Sequence, residues 1–148
     1  MINEFKDTYL KKQIKISTEI FDETINIITC PEDINDYFRH VIPVDIQTQE
    51  CVIVLYFDRR NNVIGHHVNS IGGTHYCVTD LKIMFSVALS CLATSIICIH
   101  NHPSGVLKPS EEDLKLFRKI KKFSKLINIE CLDFLIVTKD GSHSCQIE

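Results

Sequence analysis

TSIICIHNHPSGVLKPSEED, residues 94–113, reads as three elements in succession. Thr94 to His100 is an unbroken apolar run of strand length, which predicts a central strand buried on both faces. His100 to Pro109 contains two prolines and Gly105 and reads as a loop. Ser110 then starts a helix to about Leu126, with Leu114, Phe117, Ile120 and Leu126 at helical spacing. Strand, loop and helix in this order place polar side chains at the carboxyl end of a buried strand, where open α/β sheets generally carry their chemistry.

The flanking sequence extends the α/β pattern. CVIVLYF (51–57) is rich in β-branched and aromatic residues; Asp58 to Asn62 form a turn and VIGHHVNSI (63–71) follows, an antiparallel hairpin. After the Gly72-Gly73 break, His75 to Val78 reads as a brief strand. Thr79-Asp80 caps a helix running to about Leu92, with Leu81, Met84, Phe85, Ala88 and Leu89 as its apolar stripe. Ile127 to Val137 reads as a last long strand, turned by Lys139-Asp140-Gly141 into a terminal strand near His143 to Ile147. Near the start, Ile14 to Ile16 and Thr24 to Ile28 read as short strands, and Pro31 to Arg39 as a helix with proline at its first turn. The fold class is α/β, a mixed β-sheet with flanking helices. Repeats and low-complexity segments are absent from the sequence.

At 148 residues the chain suits one domain. A net charge of −3 exerts no global pull toward nucleic acid or anionic membrane. The longest apolar runs, 51–57 and 92–99, fall far short of the ~20 residues of a membrane span. The opening MINEFKDTYLKK lacks signal-peptide character, so the expected location is cytoplasmic. Seven cysteines, an odd number without a close pair, suit neither a disulfide framework nor a cysteine zinc knuckle, and read as buried thiols.

The chemistry-bearing residues of the opening stretch are His100, His102 and Asp113. Residues two apart in an extended segment point the same way, so both imidazoles can face one ion while Asn101 faces away. Asp113 lies in the first turn of the helix that the loop folds back. Two imidazoles and a carboxylate leave a fourth position open, the pattern of catalytic rather than structural zinc. The same residues also read more plainly, as a polar loop leading into a helix capped by Ser110 with acids offsetting its dipole.

His100-Asn-His102, seven residues, Ser110, two residues and Asp113 reproduce the His-x-His-x7-Ser-x2-Asp signature of the JAMM (MPN/JAB) metalloproteases. The fuller string His-Asn-His-Pro-Ser-Gly, then Pro-Ser-x-x-Asp, resembles the bacterial RadC family in particular. Glu50, in TQECVIVLYF, stands where the signature has an upstream glutamate. The similarity covers residues 45–148, with residues 1–44 expected as an N-terminal extension packed on that domain. It implies a JAMM/MPN fold resembling cytidine deaminase, with Zn2+ held by His100, His102 and Asp113. It also implies Glu50 as general acid/base and Ser110 as a hydrogen-bond donor to the oxyanion. Relatives of this kind cleave peptide or isopeptide bonds, so a peptide or protein substrate is implied. Bottom-up chemistry agrees: such a site needs a carboxylate outside the ligand set to move a proton, and a hydroxyl donor at the oxyanion. Gly105 and Pro103 are assigned to loop geometry.

Two features depart from the resemblance. Residues 1–44 lack the paired Gly-rich hairpins of the helix-hairpin-helix DNA-binding module of full-length RadC proteins. The last long strand has Asp133-Phe134 where RadC relatives tend to show Asp-His. Nucleic acid nevertheless stays open as a partner, on the family's repair label and on six basic residues between Lys115 and Lys125. The preferred reading of those residues is a solvated face whose positive charge sits toward the helix C-terminus, where the dipole favours it. His66 and His67 point to opposite faces of a strand and cannot chelate together, and His40, His75 and His143 lack partners in sequence. The hairpin beginning at Cys51 is expected to offer an edge to an extended substrate.

Overall fold

Seven consecutive buried side chains in β1 (Cys51–Phe57) require apolar layers on both faces of the sheet, and the computed structural model supplies them. It describes residues 28, 31–73 and 77–147. Cys51, Ile53, Leu55 and Phe57 pack on one face with Ile34 and Phe38 of α1 (Pro31–Val41). Val52, Val54 and Tyr56 pack on the other with Met84, Phe85 and Ala88 of α2 (Leu81–Ser90) and Phe117 and Ile120 of α3 (Glu111–Leu126). The period-2 alternation of a strand thus divides β1 between two cores.

The sheet runs β2-β1-β3-β4-β5, with β2 (Val63–Ile71), β3 (Ser95–Asn101), β4 (Glu130–Val137) and β5 (Ser142–Ser144). β1 is antiparallel to both β2 and β3, β3 is parallel to β4, and β4 is antiparallel to β5. The parallel β3–β4 pair needs a long crossover, which α3 provides. This is the mixed sheet with flanking helices that the sequence implies, and β3 is central and buried along its whole length. Arg39 fastens α1 to the end of β4 by donating to the carbonyls of Thr138 and Lys139, each at 2.8 Å. Among the described residues, no helix is long and apolar enough to cross a membrane.

Several boundaries differ from the sequence expectation. β4 begins at Glu130 and not Ile127, because Ile127 caps α3 and Asn128 occupies the left-handed region (φ 54°), which no strand tolerates. The terminal strand shrinks to three residues and gives way to a 3-10 turn, Cys145–Ile147. α2 stops at Ser90, since Leu92 is also left-handed (φ 54°). Leu89, placed in the apolar stripe, is exposed, as is Leu126. Cys77 and Val78 belong to no strand, and the rest of that expected segment, 75–76, lies outside the described residues. The strands read at 14–16 and 24–28 lie outside them too, apart from Ile28, which is not in a strand. β1 itself is internal; β2 is the outer strand of the hairpin among the described residues.

Candidate metal centre

β3 ends at the middle of the sheet, where His100 pairs with Val52 on one side and Ile136 on the other. Its imidazole lies on the sheet face covered by α2 and α3, and the residue is 6% exposed. His102 continues the same side of the chain after Asn101, its N–H bonding the Val137 carbonyl at 2.9 Å. The following loop reverses at Gly105, whose φ of 78° is accessible at low cost only to glycine. Gly105 N–H bonds the His102 carbonyl (3.1 Å), and the turn brings the Val106 carbonyl to within 2.8 Å of His102 Nδ1. His100 Nδ1 lies 3.2 Å from the Cys51 carbonyl. Each Nδ1–H thus donates to a carbonyl, which fixes the ring and presents Nε2 as the ligand atom.

Asp113 is held by a capping box. Ser110 caps α3, its Oγ accepting from Asp113 N–H (3.1 Å), while the Asp113 carboxylate accepts from Ser110 N–H (2.7 Å) and Oγ–H (2.6 Å). The cap that starts the helix therefore also aims the carboxylate. Asp113 Oδ2 lies 3.2 Å from His102 Nε2, and Oδ1 lies 3.8 Å from His100 Nε2. The two imidazoles meet edge to face, centroids 5.0 Å apart. One donor atom from each of the three residues falls within 4.8 Å of the others. Ligand atoms about 2.0–2.1 Å from a tetrahedral zinc lie about 3.3 Å from one another; the two Asp113–histidine separations, 3.2 and 3.8 Å, are already close to that. Two nitrogens and a carboxylate oxygen suit a divalent transition metal. His100, His102 and Asp113 can hold a metal ion.

Burial and the Asp113 carboxylate together set the electrostatics of the group. Burial acts to raise the Asp113 pKa, but hydrogen bonds from His102 and Ser110 outweigh it and bring it down to about 2. Burial depresses the His102 pKa, yet the Asp113 carboxylate and the Val106 carbonyl reverse this and raise it. His100 is more enclosed; burial lowers its pKa despite the pull of Asp113, keeping the imidazole neutral and ready to ligate.

Glu50 precedes β1 and its Oε2 lies 4.0 Å from His100 Nε2, beside the donor triangle and not part of it. All five residues named from the sequence are therefore brought to one place. Ser110 arrives in a particular state, its hydroxyl proton directed at Asp113. Phe134 fills the core under α3, fully buried with its ring 5.7 Å from that of Phe117. His66 and His67 do point apart: His66 sits on the α1 side, its Nδ1 2.8 Å from the Tyr37 hydroxyl, and His67 lies opposite Val54. The six basic side chains of α3 are exposed, Lys121 lying over the Phe117 ring at 5.1 Å. Cys51, Cys77, Cys91, Cys98, Cys131 and Cys145 are free thiols; burial pushes those of Cys51 and Cys131 up to about 12, so they act as small core hydrophobes.

Residues 28–148 match the family model of the RadC-like JAB domain. A UPF0758 protein of Syntrophomonas wolfei is 35% identical over 113 residues, covering 75% of this chain and 48% of the relative. A UPF0758 protein of Carboxydothermus hydrogenoformans is 33% identical over 118 residues, 80% of this chain and 51% of the relative. One from Bacillus pumilus is 30% identical over 139 residues, 92% and 61%. The chain thus spans about half the length of the first two relatives. The sequence match extends through the strand, loop and capped helix that assemble the histidine–aspartate triangle, and this chain belongs to the RadC-like JAB domain family.

Proposed function

We propose that this chain is a zinc-dependent hydrolase of amide bonds, peptide or isopeptide, in a peptide or protein substrate. The observation that carries the reading is the convergence of His100, His102 and Asp113 on one point with a separate carboxylate, Glu50, beside it. A structural zinc site closes its fourth position with a protein ligand; here the neighbouring group is an acid suited to proton transfer. When bound, zinc supplies a Lewis acid that polarises the scissile carbonyl and acidifies water. The protein's own residues do the rest. His100, His102 and Asp113 bind, their directions fixed by Cys51, Val106 and Ser110. Glu50 takes a proton from the attacking water at its carboxylate and returns it to the departing amine nitrogen. Ser110 holds Asp113 in the resting site; on substrate arrival its hydroxyl turns to the developing oxyanion.

The test is a panel of peptide- and isopeptide-linked substrates with zinc-loaded wild type and Glu50→Gln. The expected result is cleavage by wild type, abolished by chelation, and a loss of roughly 10²–10⁴-fold in Glu50→Gln with zinc retained. Cleavage by Glu50→Gln at the wild-type rate contradicts the assignment.

A second reading rests on the exposed basic face of α3, Lys115, Arg118, Lys119, Lys121, Lys122 and Lys125, as a contact for nucleic-acid phosphates. It expects salt-dependent DNA binding that weakens when Lys121 and Lys122 are neutralised. Absence of binding at low salt counts against it.

A further inference from the structure

We propose that Asn101 is a positioning residue for Glu50: its single carboxamide holds both peptide groups that flank the Glu50 α-carbon. This sets the direction in which that side chain leaves the backbone. The inference rests on the reading of Glu50 as the proton-transferring group.

Asn101 lies between the two histidines at the end of β3, but strand alternation turns it to the opposite sheet face, where it is fully buried. Its Oδ1 accepts from Cys51 N–H at 2.7 Å, and its Nδ2 donates to the carbonyls of Gln49 (2.9 Å) and Ile46 (3.1 Å). The Gln49 carbonyl belongs to the peptide entering Glu50, and the Cys51 N–H to the peptide leaving it. Holding both planes from one rigid amide fixes the φ and ψ of the residue between them. The Ile46 bond adds the preceding turn, which is closed by Thr48 and Gln49 N–H groups on the Asp45 carbonyl at 3.0 and 3.2 Å. From the β2 side, Gly72 N–H bonds the Glu50 carbonyl at 2.8 Å. The last β1–β3 register pair is Val52 with His100, so Asn101 takes over at the point where that register ends.

Asparagine is the side chain this position needs. It must accept once and donate twice while carrying no charge, because it is out of water. Aspartate keeps the acceptor, loses both donors and buries a charge. The consequence is geometric. Asn101 is rooted in the strand that carries His100 and His102, so the proton-transferring carboxylate and the two imidazoles are set in one frame. A displacement of ~1 Å of a catalytic group costs about 100-fold in rate.

The test compares Asn101→Ala and Asn101→Asp with wild type, Glu50→Gln and the double variant Asn101→Ala/Glu50→Gln. In metal-free crystal structures, His100, His102 and Asp113 keep their arrangement, while the Glu50 carboxylate leaves its position 4.0 Å from His100 Nε2. Zinc affinity falls by less than the roughly tenfold or more that losing a ligand's own supporting partner brings. The visible spectrum of the cobalt-substituted Asn101→Ala protein shifts in the direction of Glu50→Gln, and the double variant shifts no further. A purely structural role predicts a lowered Tm with Glu50 in place and a wild-type cobalt spectrum, and that result overturns the proposal. If Asn101→Ala does not fold, Asn101→Asp decides, since it keeps the acceptor for Cys51 N–H but frees the Gln49 and Ile46 carbonyls, which is expected to displace Glu50. If wild type binds no metal, the hydrolase reading fails, and the crystallographic position of Glu50 still decides this one.

Discussion

Asp113 links the site to the stability of the fold, so acid unfolding of the metal-free protein reads its surroundings. Its carboxylate accepts two hydrogen bonds from Ser110, at 2.6 and 2.7 Å, and faces His102 Nε2 at 3.2 Å. Against the opposing effect of burial, these partners lower its pKa from 3.8 to about 2. A carboxyl that binds its proton less readily when folded contributes stability that is complete above the ordinary carboxylate range. That contribution declines as pH falls through 3.8 and is gone below about 2. At 1.36 kcal/mol per unit, the shift corresponds to roughly 2.5 kcal/mol. Part of it is attraction to His102, whose folded pKa is raised; that share is present below the ordinary imidazole value of 6.5 and is lost as pH rises through the folded value. The two shifts describe one interaction and are not added.

Urea unfolding in the presence of a chelator, for wild type and Asp113→Asn across the acid and neutral range, measures it. The stability difference between the two proteins is expected to be largest, about 2–3 kcal/mol, between the ordinary carboxylate and imidazole pKa values. It shrinks toward zero in strong acid and falls partially above neutrality. A difference that is flat with pH refutes the picture of Asp113 as a charged, hydrogen-bonded partner of His102.

Three other perturbations have stated outcomes. Ser110→Ala removes both the helix cap and the hydroxyl on Asp113, and is expected to cost ~1 kcal/mol in urea unfolding and about 10–100-fold in zinc affinity by chelator competition. Tyr56→Phe deletes a buried donor to the Met84 carbonyl (3.0 Å) and is expected to cost about 1–3 kcal/mol while leaving zinc binding unchanged. Leu92→Gly relieves a left-handed, exposed leucine beyond the end of α2 and is expected to stabilise by up to about 1 kcal/mol by thermal unfolding.

What the sequence made legible follows from local physics. β3 was legible because burial on both faces demands an unbroken apolar run, and α3 because Ser110 and Asp113 form a cap whose spacing is fixed by helix geometry. The same cap aims the Asp113 carboxylate at the histidines, so Asp113 is visible twice over. Strand alternation puts the two histidines on one side of the chain, but it leaves a plain polar loop equally open until the spacing to Ser110 and Asp113 is read with them. Less could be said where the deciding contact is distant. The exposure of Leu89 depends on what α2 packs against, and the start of β4 depends on Asn128 taking a left-handed turn. The sequence says of Asn101 only that it faces away from the histidines, because its partners are the backbone at Ile46, Gln49 and Cys51, some fifty residues away in the chain. The carbonyls of Cys51 and Val106 that orient the imidazoles leave no mark in the sequence, since every residue type carries one.

The metal centre is tested by the metal content of protein purified without a metal-affinity tag, measured by elemental analysis beside the His100→Ala/His102→Ala variant. Near-stoichiometric zinc is expected in the wild type, and its loss in a variant that remains folded. Wild-type protein that holds no metal, even after zinc is added back and the excess removed, would contradict that expectation.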